Sequence, residues 1–191
     1  MKRVFAALGL VTLLAGCVPC LNPLYTDKDL TFDPALVGVW NESDSTANWN
    51  FSKAGENKYT LVHTDSEGHK AEFEARLVKL KERQFLDLYL SKLGDPEVKL
   101  NDWASMSLVP AHLILQVYGI GKTLKIAAMN PDWLKDYLEK HPDAIEHHEV
   151  PKDRFVLTAS TKNLQKFILQ HAGEGGIFGD PGELKRKEGA L

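Results

Sequence analysis

Between Leu36 and about Ala128 the chain runs in short alternations of apolar and polar positions. Ala71, Phe73, Ala75 and Leu77 alternate with Glu72, Glu74, Arg76 and Val78, the period-two pattern of a strand with one face buried and one in water. Upstream, Tyr59, Leu61 and His63 alternate with Lys58, Thr60 and Val62. Asp65-Ser66-Glu67-Gly68 lies between the two runs as turn residues should, so a hairpin is expected there. Further strands are expected at Asn48–Lys53, Phe85–Leu90, Ser105–Val109, His112–Tyr118 and Thr123–Ala128, with turn signals such as Gly119-Ile120-Gly121 between them.

The period then changes. Asn130 is a good N-cap, Pro131 suits the first helical position, and Asp132 complements the positive end of the helix dipole. Trp133, Leu134, Tyr137 and Leu138 recur at helical spacing before Pro142 stops the run. Arg154–Thr158 reads as one more strand. Ser160 or Thr161 then caps a second helix, with Leu164, Phe167 and Ile168 as its apolar stripe and Gly173 as its stop.

Sequential short strands without helices between them argue for an antiparallel meander. The expected fold is mainly β: an antiparallel β-barrel or strongly curved sheet, flanked by two α-helices toward the C-terminus at about 131–141 and 161–171. The chain divides into an export signal (1–16), a Pro-punctuated tether (17–35), one β-rich domain (36–172) and a Gly-rich and charged tail (173–191), whose glycine-rich loop Ile177 and Phe178 could dock and whose charged end is expected to fray. As a flexible coil the tether would span ~20–25 Å. Leu24, Tyr25, Leu30 and Phe32 could equally dock its end onto the domain.

The apolar run Val4–Leu14 follows the basic pair Lys2-Arg3 and is roughly half the ~20 residues a membrane-crossing helix needs, so cleavage is expected. It ends in Leu14-Ala15-Gly16-Cys17, which resembles the lipobox of bacterial lipoproteins. The resemblance implies a diacylglycerol on the Cys17 thiol, cleavage before Cys17 and an acyl chain on its new amino group, with no other cofactor. The implied location is the cell envelope. Val18 is not the aspartate that resembles an inner-membrane retention signal, so the periplasmic side of the outer membrane is expected where a cell has two. Cys20 is left over, and could carry a further acyl chain, pair with another chain or stay idle.

Gly38-Val39-Trp40, opening the first strand of the domain, is similar to the Gly-x-Trp motif of lipocalins and related calycins. The order of elements from Leu36 to about Gln170 also resembles that family, in which a helix precedes a last strand that pairs with the first. The resemblance implies that Trp40 closes the barrel base beneath a late arginine. Arg154, on the last expected strand, is the position for it.

The whole chain carries a net charge of −3. Loss of Met1–Gly16, with two basic and no acidic residues, brings it to −5, which disfavours nucleic acid and anionic lipid surfaces as partners. The one late basic run, Lys185-Arg186-Lys187, reads as solvated.

Candidate chemistry is sparse. His147 and His148, with His141 and nearby carboxylates, are weak candidates for a metal, because adjacent strand or loop residues point opposite ways. His112 has no nucleophile or orienting acid supplied by the sequence, and reads as a histidine bonded to backbone. No Gly-x-Ser-x-Gly or Ser-x-x-Lys motif is present. Trp40, Trp49, Trp103, Trp133, Phe51, Phe73 and Tyr59 could line a cavity or fill the core, since an eight-stranded barrel is just wide enough for either. The function expected from the sequence is that of a membrane-anchored accessory module binding another envelope protein, with a carrier of a small apolar ligand as the alternative.

Overall fold

A computed structural model of the chain describes residues 17–43, 45–93, 108–151, 154–173 and 175–187. The export signal, Trp103 and most of the strand expected at Ser105–Val109 lie outside the described residues. In chain order the elements are β1 (Pro19–Cys20), β2 (Leu30–Thr31), β3 (Gly38–Glu42), β4 (Asn48–Gly55), β5 (Lys58–Thr64), β6 (Lys70–Leu80), β7 (Arg83–Leu93), β8 (His112–Ile120) and β9 (Thr123–Ala128). Then come α1 (Pro131–Lys140), β10 (His147–Val150), β11 (Arg154–Leu157), α2 (Thr161–His171) and β12 (Gly182–Arg186).

Strands β3 to β9 pair antiparallel in sequence order, and β12 slots between β9 and β3 to close an eight-stranded barrel. The inward face is set by the period-two pattern. Trp40 stands opposite Trp49, Leu61 opposite Phe73, and Leu86 opposite both Leu77 and Leu115. With Leu36, Phe51, Tyr59, Leu124, Ile126 and Leu184 these residues fill the barrel from the Trp40 end.

A second apolar layer covers the outside of the barrel. Val78, Phe85, Ile114 and Ala127 face out and meet Leu134 and Leu138 of α1 and Leu164, Phe167 and Ile168 of α2. This explains why Leu113-Ile114-Leu115 is apolar without alternation: β8 has a core on each side. The expected caps form. Asn130 Oδ1 accepts from the backbone N–H of Asp132 and Trp133, and Ser160 Oγ accepts from Asn163 N–H.

One part of the chain differs from its sequence expectation. The closing strand is β12, in the charged end expected to fray, whereas β11 lies outside the ring, pairing with β10 and running parallel to β1. Only Gly182, Leu184 and Arg186 of β12 turn inward, between exposed Glu183 and Lys185, so its apolar signal is a single leucine. Ile177 and Phe178 do dock the glycine-rich loop, both buried. Gly176 is required there, because a Cβ would collide with the His171 carbonyl that caps the loop.

The tether takes the second of the two forms open to it, docked rather than a free coil. Residues 18–36 form a packed strap, with Val18, Cys20, Leu24 and Leu36 all buried. β1 takes over the edge of β8 at His112–Leu113, next to the stretch that β9 pairs. The strap then crosses the outer face, tied by Thr161 Oγ1 to the Pro23 carbonyl (2.8 Å) and by Gln165 Nε2 to the Leu24 carbonyl (2.8 Å). β2 pairs with β6, and Phe32 stacks on Tyr59 at 4.8 Å. Tyr59 Oη accepts from Asp33 N–H and donates to the Asp33 carbonyl, which turns the chain into the barrel base.

Candidate functional site at the barrel mouth

The two ends of the barrel are built differently. At the base, Trp40 is fully buried and donates its Nε1–H to the Leu36 carbonyl (2.9 Å). Its ring is covered by Arg186, whose guanidinium lies 4.1 Å from the ring centroid and donates to the Val37 and Ala35 carbonyls. Gly38 makes this possible: it sits at φ +134°, and a Cβ there would fall 2.6 Å from Arg186 Nη1. Arg154 is not the covering residue. It is exposed on β11, its Nε donating to the Pro151 carbonyl at 3.4 Å.

At the mouth the core stops short and leaves an apolar cavity of about 100 Å³. Trp49, Leu61, Phe73, Leu88, Leu113 and Leu115 form its walls, and Cys17, Glu42 and His63 complete its lining. Trp49 and Phe73, which sequence reasoning left open between core and cavity, therefore line the cavity, while Trp40, Phe51 and Tyr59 belong to the filled part and Trp133 to the outer layer.

The cavity has one polar corner. Trp49 Nε1–H donates to Glu42 Oε1 at 3.1 Å, and His63 Nε2 stands 4.0 Å from the same oxygen without a hydrogen-bond partner. Burial holds the His63 imidazole below its ordinary value, against the opposing pull of Glu42 and Asp65. Burial likewise pushes the Cys17 thiol up. The mouth is thus a mostly apolar recess with the half-buried His63 ring on one side and the half-buried Cys17 sulfur beside it.

A second constellation lies on the outer face under the strap. Asp87 is 1% exposed, and its Oδ1 shares a 2.6 Å hydrogen bond with His112 Nδ1 while Oδ2 accepts from Leu24 N–H at 2.7 Å. His112 is therefore bonded to a carboxylate rather than to backbone. The sequence signal missed was Asp87, a charged residue in the apolar run of β7. Cys20 stands opposite His112 in register, so cysteine, histidine and aspartate are neighbours. They do not make an activated nucleophile: Cys20 is fully buried, burial followed by the Asp87 charge pushes its thiol up, and its hydrogen bond goes to the Val18 carbonyl. The trio fastens the strap.

His147 and His148 sit on β10, as neighbours on a strand should, one half-buried and one exposed. His147 Nδ1 is bonded to the Ile145 carbonyl at 2.8 Å and its ring packs against Phe155. Among the described residues no group of three or more His, Cys, Asp or Glu is placed to hold a metal, and no helix is long and apolar enough to cross a membrane. No protein family, no curated protein and no solved structure matches this chain.

Proposed function

We propose that the protein is an envelope lipoprotein, anchored through a diacylglyceryl group and an N-acyl chain on Cys17, that works by binding rather than by catalysis. The observation that carries this reading is the place of Cys17, on the lining of the barrel mouth at the start of a packed strap. A thioether formed on that sulfur begins inside the mouth, so the glyceride has to leave through it, and the bilayer lies on that side. The half-buried Arg186 over the buried Trp40 at the opposite end supports a lipocalin-like reading of the barrel.

Within this reading the first role is an accessory module for another envelope protein. The barrel is filled from its base to Leu115, so it has no room for a whole lipid. The second role, a carrier of a small apolar ligand, is supported by the mouth cavity. At about 100 Å³ it is somewhat smaller than the engineered cavity of ~150 Å³ that takes benzene, and fits the tip of a hydrocarbon chain. Native mass spectrometry of the lipidated protein, released gently from membranes, separates the two. A stoichiometric protein partner supports the accessory role, a co-purifying apolar small molecule supports the carrier, and a bare chain counts against both.

A further inference from the structure

We propose that the barrel rests mouth-first on the bilayer, with Leu21, Tyr89, Leu108 and Val109 entering its interfacial layer as a noncovalent contact beside the lipid anchor. The proposal rests on the reading of Cys17 as lipid-modified and adds a surface to it. Among the described residues the exposed large apolar side chains are Leu21 (43%), Tyr89 (37%), Leu108 (57%), Val109 (71%) and Tyr118 (46%). A scattered set would need no explanation; clustering does.

The register and the chain path bring four of them toward one end of β8. Tyr89 pairs with His112, and Cys20 pairs with His112 from the other edge of β8, so Leu21 lies one residue beyond that pair. Leu108 and Val109 precede His112 on the segment that enters β8. Leu21 and Tyr89 thus flank the end of β8 that opens on the mouth, and Leu108 and Val109 lead the chain into that end, while Tyr118 is toward the other end of the same strand.

The bilayer is the occupant because of what else reaches this spot. Cys17 is three residues before Cys20, and buried Val18 leaves no slack between anchor and barrel. Whatever holds Cys17 therefore holds this rim against the same surface. The chemistry also fits: aliphatic tips with one tyrosine are the side chains that sit at a membrane interface. The mature chain carries −5, so adhesion of this kind comes from apolar burial and does not require anionic lipid.

The test uses the full lipidated protein, purified from membranes and reconstituted into phosphatidylcholine vesicles, with a nitroxide placed at Leu108→Cys or Val109→Cys. Glu56→Cys, on the exposed β4–β5 turn at the far end, is the control, and buried Cys20 does not compete for label. The expected result is that nitroxides at 108 and 109 are relaxed more by oxygen and less by a water-soluble nickel chelate than the nitroxide at 56. Equal, water-like accessibility at all three sites on vesicle-bound protein overturns the proposal and leaves the anchor intact. Shielding of 108 and 109 from both reagents also overturns it, because a protein surface then covers the rim. Intact mass showing no lipid on Cys17 removes the reading on which the proposal rests.

Discussion

The Arg186 guanidinium lies 4.1 Å from the centre of the Trp40 ring and ties the last barrel strand to the first. Arg186→Ala removes a cation–π contact on a buried indole and leaves the Val37 and Ala35 carbonyls without their donor. A loss of about 1–3 kcal/mol in urea unfolding is expected. Arg154→Ala, at an exposed position, should stay within about 0.5 kcal/mol of the parent. Equal effects of the two substitutions would mean that the base is not closed by Arg186.

Asp87 joins three segments: its own strand, His112 on β8 and the strap at Leu24. Asp87→Ala strands the His112 ring and the Leu24 amide in a dry layer, at an expected cost of about 3–5 kcal/mol. Hydrogen exchange locates the effect. The Leu24 amide should lose protection more than amides of the β4–β5 hairpin, whereas a uniform loss would show that the strap is not a separate unit.

Cys20 should be silent to a maleimide in the folded protein and react fully once unfolded, because burial both hides the thiol and disfavours its thiolate. Rapid native labelling would show that the strap opens. It would also restore the acylation and disulfide alternatives for this residue.

Burial holds His63 below the ordinary histidine value of 6.5, so the unfolded chain takes up the proton first. The stability contributed by the neutral ring is therefore complete above pH 6.5 and is lost as the pH falls from there toward the lower folded value. His171 is shifted the same way, by burial and then by the nearby His141. Urea midpoints should fall between pH 7.5 and 5.5, and His63→Gln should flatten but not abolish that slope. Each full unit of depression corresponds to about 1.4 kcal/mol. An unchanged slope in the variant would place the imidazole in water.

Much of the barrel could be read from the chain because period-two alternation is strong where one strand face is core and the other is solvent, as at Ala71–Val78. Both helices were legible for a similar reason, each having a capping side chain and a stripe. The strap and β12 were not. Residues 18–36 carry apolar positions without a regular period between prolines, and what buries Val18, Cys20 and Leu24 is an outer layer assembled from α1, α2 and β8, distant in sequence. β12 offers one inward leucine among glycine and charge, so its pairing with β3 and β9 leaves no local mark. The mouth cavity depends on where the packing of Leu61, Leu88 and Leu115 ends, a property of the closed ring. The Gly38 and Trp40 motif is plain in the sequence, but its arginine is not, because β12, which carries Arg186, lacks the apolar run of a strand whereas β11, which carries Arg154, has it.

The lipid on Cys17 is the central claim, and the mass of the N-terminal peptide of the protein taken from membranes of its native host tests it most directly. The expected peptide begins at Cys17, carries a diacylglyceryl group and one further acyl chain, and is absent from a Cys17→Ser variant that remains unprocessed. An N-terminal peptide with a free Cys17 thiol and amine, or a Cys17→Ser chain that matures and sediments with membranes as before, would contradict it.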